Sequence, residues 1–214
     1  MTRPTLLLIS VLWLLSHDLG LASDWPQWRG PNRDGSVKNT KWPASLAEPS
    51  LKQAWRVELA PSYSGPIVQG NLVFTTETED KQKEVVRALD RRTGKEVWKA
   101  SWEGALSVPF FAKANGDWIR STPACDGERL YVAGMRDVLV CLDAQSGKQV
   151  WRFDFVEKLG TALPAFGFVC SPLIDENAVY VQAGGGICKL EKLTGELLWR
   201  SLNDGGGMSG SAFS

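Results

Sequence analysis

One sequence motif occurs three times in this chain, and its spacing restricts the folds that the chain can adopt. The copies are LDRRTGKEVWK, LDAQSGKQVWR and LEKLTGELLWR, which begin at Leu89, Leu142 and Leu190. They share a leucine, an acid, a threonine or serine, a glycine, and a tryptophan followed by a base. A period of about 50 residues is typical of repeat architectures, in which each repeat is one supersecondary unit.

Each repeat also contains four short runs of β-forming residues. In the third repeat these runs are FVCSPLID, NAVYVQAG, GGICKLEK and TGELLWRS. Valine, leucine, isoleucine and aromatic residues fill the runs, and Gly, Asp and Asn separate them, as in strands joined by hairpins. Four antiparallel strands in ~40–50 residues form one blade of a β-propeller. The sequence therefore predicts an all-β fold, a β-propeller of four-stranded antiparallel blades with about three blades present in an incomplete ring.

The repeated motif is explained physically as a contact between blades. An acid at the end of the third strand can accept hydrogen bonds from turn amides, and the glycine supplies the positive φ of a tight hairpin with a bulge. A tryptophan on the outer strand can bury ~150–250 Å² against a neighbouring blade. The blade-docking residues predicted in this way are Asp90, Asp143, Glu191, Gly94, Gly147, Gly195, Trp98, Trp151 and Trp199, with Trp55 of LKQAWRVELA as a further outer-strand tryptophan.

The same pattern gives the expected domain boundaries. They are a signal peptide at 1–22, an extended N-terminal segment at 23–50, an orphan outer strand at 51–60, blades at 63–103, 120–155 and 168–201, and the start of a fourth blade at 208–214. Three blades cannot close a ring of typically four to eight. We therefore interpret the chain as a C-terminally truncated fragment of a longer protein, with completion of the ring by oligomerisation as the alternative.

The N-terminus has the composition of a secretory signal peptide. Arg3 supplies a positive charge, Leu6–Leu15 is apolar, and Gly20–Ala22 offers small residues for cleavage near Ala22. This apolar run is shorter than the ~20 residues that span a bilayer. We expect an exported protein, periplasmic or secreted, with no membrane span; an uncleaved N-terminal anchor is the alternative.

Cleavage would remove His17, the only histidine. A mature chain without histidine has no Ser-His-Asp or Cys-His machinery and no histidine-ligated metal. Acid–base chemistry would have to fall to Asp, Glu, Lys or Tyr, and we assign no catalytic residue and no metal ligand in this chain. The glutamate- and aspartate-rich stretch Glu77–Asp80 is interpreted as a solvated hairpin tip rather than a calcium site. The formal net charge is zero, so the sequence also predicts no nucleic-acid partner.

Four cysteines remain in the mature chain: Cys125, Cys141, Cys170 and Cys188. No two of them form a CxxC pair, so a zinc site is not expected. The repeat places the first two on the first and third strands of one blade, roughly 9–10 Å apart, which exceeds disulfide reach. We expect buried free thiols, and disulfides remain the alternative for an exported chain.

The two long connections between blades are the expected place of function, because a rigid scaffold can position exposed loops. Both connections are rich in aromatic residues, and one of them ends at an arginine. The candidate binding face consists of Phe110, Phe111, Trp118, Arg120, Phe166 and Phe168. Aromatic side chains beside arginine suit a protein-binding or quinone-stacking surface. The alternative is that these side chains only pack over the blade ends.

The three motif copies, with the strand openers SGPIV, STPAC and CSPLI, resemble the PQQ-like (pyrroloquinoline-quinone-type) β-propeller repeat family over residues 51–214. The segment WPQWRGPNRDG is also similar to the leading segment of exported members. The resemblance implies one of two functions. Quinoprotein alcohol dehydrogenases of the family use PQQ and calcium and carry a vicinal cysteine pair, which is absent here. Members similar to the assembly factor BamB bind partner proteins without catalysis.

These observations favour a non-catalytic binding scaffold that recognises a protein partner through its loops and needs no cofactor. The alternative is part of a PQQ-dependent quinoprotein oxidoreductase, alcohol dehydrogenase-like, whose active site with PQQ and calcium is completed by sequence beyond Ser214. Fold alone does not decide between them, since one fold supports unrelated functions.

Overall fold

The computed structural model describes residues 23–37, 43–47 and 52–202. The predicted signal peptide, His17 and the expected start of a fourth blade at 208–214 lie outside the described residues. The first sheet contains β1 (Ile67–Gln69), β2 (Leu72–Glu79), β3 (Lys83–Asp90) and β4 (Glu96–Glu103). The second sheet contains β5 (Ala124–Cys125), β6 (Arg129–Gly134), β7 (Val138–Asp143) and β8 (Gln149–Asp154). The third sheet contains β9 (Leu173–Asp175), β10 (Ala178–Ala183), β11 (Gly186–Glu191) and β12 (Leu197–Ser201). A 3₁₀ helix (Phe110–Asn115) and a short helix α1 (Phe155–Leu159) lie between the sheets.

All three sheets have the same topology. Each strand pairs antiparallel with the next along the chain, so the order in space follows the order in sequence. Each sheet also has a register shift where its third and fourth strands meet the repeated turn, at Ala88/Leu89, Cys141/Leu142 and Lys189/Leu190. Three four-stranded antiparallel sheets confirm the predicted all-β fold of propeller blades.

Burial along the third strands reports how the blades stack. In β7, VLVCLD, the first five residues are all buried, whereas in β11, GICKLE, buried and half-buried residues alternate. A strand with one covered face shows period-two burial, and a strand covered on both faces does not. The second sheet is therefore packed between the other two, and the third sheet has one face without a neighbour among the described residues.

Two apolar clusters fill the spaces between the blades. The first includes Phe74, Trp98, Cys125, Leu130, Val140 and Met135; the second includes Tyr131, Trp151, Phe155, Cys170, Val181 and Cys188. Cys125 and Cys141 of the same blade belong to different clusters, because alternating strand residues point to opposite faces. All four cysteines are buried, and none of them forms a disulfide within the described residues.

Because the strands of each blade alternate in direction, the connections between blades lie at one end of the sheets, and the hairpins between the third and fourth strands lie at the other. Residues 61–66, 104–123 and 155–172 lead into β1, β5 and β9, and they share one end with the β2–β3, β6–β7 and β10–β11 hairpins. We call this end the loop face. The backbone joins its parts directly, since the Tyr63 N–H donates to the Ile119 carbonyl at 2.9 Å and the Thr78 N–H to the Pro61 carbonyl at 2.9 Å.

The segment before the blades differs from the expectation in two ways. Residues 27–35 form consecutive turns and bends rather than an extended chain, and residues 25–33 contact the first strands of the first two sheets and the residue before β9. The contacts are Trp25 with Val68, Pro26 with Cys125 and Arg33 with Pro172. Residues 52–60 form no strand. An outer strand pairs with the third strand of its own blade, and the described part of the chain gives these residues no such neighbour.

Candidate functional site

The acids of the repeated motif accept hydrogen bonds within their own turns. The Asp90 carboxylate accepts the Thr93 N–H at 2.8 Å and the Thr93 hydroxyl at 2.7 Å, and these bonds lower its pKa. Asp143 accepts the N–H and hydroxyl of Ser146 at 2.8 and 2.6 Å. Glu191 accepts the Thr194 N–H at 2.6 Å. The acid therefore fixes the hairpin that presents the motif glycine.

Each motif glycine is covered by the tryptophan of the preceding unit. Gly147 has a φ of 72°, and a Cβ there would overlap the Trp98 ring. The Trp98 indole N–H donates to the Ala144 carbonyl at 3.0 Å. The same arrangement joins Trp55 to Gly94 and Arg91, and Trp151 to Gly195 and Lys192. Trp199 is 43% exposed, and among the described residues no further glycine turn covers it. That these residues hold the blades together stays a prediction, tested below.

Three phenylalanines of the candidate face come together on the loop face. Phe110 and Phe111 begin the 3₁₀ helix and are 85% and 69% exposed, and Phe166 of the next connection is 36% exposed. The ring centroids of Phe110 and Phe111 lie 5.6 Å apart, and those of Phe111 and Phe166 lie 6.2 Å apart, both edge to face. We call these three residues the phenylalanine cluster. Two separate connections thus build one exposed aromatic surface.

Two other residues of the predicted face form a second stack. Trp118 lies 5.1 Å from the ring of Tyr63, which precedes β1, and the Arg120 guanidinium lies 5.0 Å from the same ring. Arg120 also donates to the Gly116 carbonyl at 3.1 Å. These contacts hold Trp118 and Arg120 against the blade, so they support the loop face and are less available than the phenylalanine cluster.

Phe168 is not on the exposed face. Its side chain is 2% exposed, and its ring packs edge to face on Phe155 at 6.1 Å within the second apolar cluster. Gly167 has a φ of 72° and separates Phe168 from Phe166. The chain therefore reverses between the two rings, which places one in solvent and the other in the core.

Buried carboxylates are the feature that the sequence did not reveal. Glu77 was expected at a solvated hairpin tip, but its side chain is 0% exposed, accepts the Ala60 N–H at 2.6 Å and pairs with Arg87 at 2.9 Å. Burial raises the pKa of Glu77, and it raises the pKa of Glu84 to about 7 and that of Asp137 to about 6.

The amino-acid sequence of this chain matches one known protein family. A family described as "Outer membrane protein assembly factor BamB", of the PQQ-like repeat type, matches residues 82–213, which is more than half of the chain. The chain belongs to this BamB-like family. The match spans the second half of the first blade and all of the second and third blades described here.

Curated relatives of this BamB-like chain include proteins of different activities. Polyvinylalcohol dehydrogenase of Sphingopyxis sp. (strain 113P3) is 26% identical over 198 residues, which make up 86% of this chain and 29% of that protein. Serine/threonine-protein kinase AfsK of Streptomyces griseus is 30% identical over 174 residues, 78% of this chain and 19% of that protein. The chain thus spans less than a third of either relative.

Solved structures similar to the BamB-like chain agree on its fold. BamB from Moraxella catarrhalis has a TM-score of 0.53 at 18% identity, over 69% of this chain and 42% of that chain. Quinohemoprotein alcohol dehydrogenase from Comamonas testosteroni has a TM-score of 0.50 at 23% identity, over 66% and 21%. At these identities the similarity concerns the fold alone, and that fold carries both kinds of function.

The BamB-like chain does not present a calcium site in its described part. Calcium requires convergent oxygen ligands. No group of three or more His, Cys, Asp or Glu side chains among residues 23–37, 43–47 and 52–202 is placed to hold a metal ion. The buried carboxylates of Glu77, Glu84 and Asp137 each accept a backbone N–H instead, from three different segments. The three carboxylates are thus engaged in separate hydrogen bonds within the fold.

Proposed function

We propose that this chain is an exported β-propeller of PQQ-like repeats that acts as a non-catalytic binding scaffold through its loop face. The observation that supports the proposal is the phenylalanine cluster, in which Phe110 and Phe111 expose most of their surface beside Phe166. Burying one such ring contributes about 1.5–3 kcal/mol. An aromatic group on a rigid blade scaffold can therefore anchor a partner.

A protein is the partner that this surface fits best. The cluster is apolar, and the chain as a whole has no net charge with which to attract nucleic acid. BamB from Moraxella catarrhalis has the same fold, and the family takes its description from a protein assembly factor. The described residues contain no helix long and apolar enough to cross a membrane. Export rests on the signal-like sequence of residues 1–22.

Site-specific crosslinking tests the scaffold function. The photoreactive amino acid p-benzoylphenylalanine replaces Phe110 in one variant and, as a control, Val97 in another. Val97 is also exposed and apolar, at 53%, but lies on the outer strand β4. We expect a discrete crosslinked protein from position 110 that is missing from position 97. The same protein crosslinked from both positions, or none from 110, would argue against binding through the loop face.

A second candidate function is a quinoprotein oxidoreductase. The similarity to polyvinylalcohol dehydrogenase over 86% of this chain favours it. Calorimetric titration of the chain with PQQ and calcium distinguishes the two candidates. Saturable binding that is followed by reduction of the quinone upon addition of an alcohol would support the oxidoreductase and contradict a scaffold without cofactor.

A further inference from the structure

Glu84 lies buried beside the start of the connection that carries Phe110 and Phe111, and it bonds Met135, which contacts the connection that carries Phe166. Its side chain is 0% exposed and stands near the start of β3. One carboxylate oxygen accepts the Met135 N–H of the next blade at 2.6 Å, and the other accepts the Trp102 indole N–H of its own blade at 2.7 Å. Glu84 therefore joins the first blade to the β6–β7 hairpin of the second.

The connection that carries Phe110 and Phe111 starts against this carboxylate. Gly104 follows β4, and a Cβ at Gly104 would overlap the carboxylate oxygen that Trp102 binds. The Gly104 and Ala105 N–H groups both donate to the Gln82 carbonyl at 3.1 Å. The first residues of this connection are thus fixed between the β2–β3 hairpin and Glu84.

The connection that carries Phe166 contacts Met135, whose N–H donates to Glu84. A Cβ at Gly167 would lie 2.8 Å from the sulfur, the terminal carbon and the carbonyl oxygen of Met135. Ala112 of the 3₁₀ helix packs on the apolar cluster that includes Met135. Met135 thus contacts the connection of Phe166 and belongs to the apolar cluster on which the 3₁₀ helix of Phe110 and Phe111 packs.

The hydrogen bond from a buried acid to the next blade occurs in two of the three repeats. Glu84 stands six residues before Asp90, and Asp137 stands six residues before Asp143. Asp137 is 1% exposed and accepts the Gly184 N–H of the third blade at 2.8 Å, which matches the contact of Glu84 with the second blade. The third repeat has Gly185 at this position. Of the three aligned positions, Glu84 is the one whose carboxylate contacts the connection that carries Phe110 and Phe111.

The surroundings allow Glu84 to change charge near neutral pH. Burial raises its pKa to about 7, opposed by the hydrogen bonds from Met135 and Trp102. The charged groups that act on it are Arg152 of β8 and Arg136 of the β6–β7 hairpin, and its own sheet supplies the neutral Trp102 donor. A carboxylate accepts both N–H groups strongly, whereas the protonated group carries a donor and weakens at least one of these bonds.

We propose that Glu84 is a positioning residue of the loop face, whose protonation state sets how Phe110 and Phe111 lie against Phe166. The inference rests on the proposed binding role of the phenylalanine cluster. It assigns to Glu84 control over the shape of that surface, without contact between Glu84 and the partner.

Fluorine NMR tests this role without a ligand. The full chain is labelled with 4-fluorophenylalanine, Phe111 and Phe166 are assigned with Phe111→Leu and Phe166→Leu, and spectra are taken from about pH 5 to about pH 9 around the carboxyl pKa. We expect both resonances to shift with one midpoint near pH 7. In Glu84→Gln the shift should be lost, and in the control Glu77→Gln, another buried acid, it should remain.

A second variant keeps the test decisive if Glu84→Gln does not fold. The Trp102 hydrogen bond lowers the pKa of Glu84, so Trp102→Phe should move the midpoint to higher pH. Resonances that do not titrate, that titrate equally in Glu84→Gln, or whose midpoint is unmoved by Trp102→Phe would overturn the positioning role. A chain that fails this test but still crosslinks a partner from position 110 would retain the proposed function, so the two failures are distinguishable.

Discussion

At the residue scale, we expect stability to depend on the contact between a tryptophan and the glycine turn of the next blade. The Trp98 ring leaves no room for a side chain on Gly147, and its indole N–H satisfies a carbonyl that is buried by the same ring. A ring contributes apolar burial, and the hydrogen bond fixes its orientation. We therefore expect the three equivalent contacts of Trp55, Trp98 and Trp151 to hold the described blades together.

The first prediction separates ring overlap from backbone strain. Gly147→Ala should lower the free energy of unfolding by about 2–4 kcal/mol, because alanine is strained at positive φ and also meets the Trp98 ring. The control is Gly160→Ala, where φ is 64° and no atom lies within 4 Å of the new methyl. That variant should lose only about 1 kcal/mol. Equal losses in urea unfolding would show that the ring contact adds nothing.

The second prediction concerns the indole hydrogen bond. Trp98→Phe should cost about 2–4 kcal/mol, because it leaves the Ala144 carbonyl without its donor and leaves space in the first apolar cluster. Trp199→Phe should cost under about 1 kcal/mol, because Trp199 is 43% exposed. Thermal and urea unfolding of both variants measure the difference. A Trp199 variant as unstable as the Trp98 variant would contradict the docking explanation.

At the element scale, the β2–β3 and β6–β7 hairpins carry buried acids that hold the neighbouring hairpin. Glu84 and Asp137 each bond a backbone N–H across a blade boundary. The same hairpins contact the connections that build the loop face, through Gly104 and Gly167. Polar contacts thus cross the blade boundaries at the end that presents the phenylalanine cluster, and the tryptophan contacts cross them at the opposite end.

A third prediction follows from the pKa of Glu84. Its folded-state value of about 7 lies above the ordinary 4.5, so the stability associated with the neutral group is present below pH 4.5 and is lost as the pH rises through 7. The loss is on the order of 3 kcal/mol. Glu84→Gln should remove this part of the pH dependence, which urea unfolding at several pH values measures. An unchanged slope in the variant would show that Glu84 does not titrate there.

The sequence predicted the elements better than the contacts between them. Period-two runs and glycine turns identify strands locally, so the blades and the positions of Trp98 and Gly147 could be read from the repeat. The burial of Glu77 and Phe168 could not, because each depends on a tertiary contact outside its own strand or turn: the Ala60 N–H bonds Glu77, and Phe155 of helix α1 packs on Phe168. Residues 52–60 resemble an outer strand but lack its partner among the described residues.

At the scale of the whole molecule, three blades and the segment at 23–37 form one packed unit. The apolar clusters join neighbouring blades. Residues 25–33 contact β1 of the first sheet, β5 of the second sheet and Pro172, which precedes β9 of the third sheet. A scaffold of this kind holds its connections in fixed positions, which lowers the ordering cost of binding a partner. The phenylalanine cluster is therefore expected to bind with little rearrangement.

The affinity of the partner for loop-face variants tests whether the chain recognises that partner through the phenylalanine cluster. Once the protein crosslinked from position 110 is purified, its Kd is measured for the unmodified chain, for Phe110→Ser/Phe111→Ser and for the control Val97→Ser/Val150→Ser on the outer strands β4 and β8. We expect the phenylalanine variant to lose affinity roughly 30-fold or more. For the control, we expect a change of no more than about twofold. Equal affinity of the two variants would contradict recognition through the loop face.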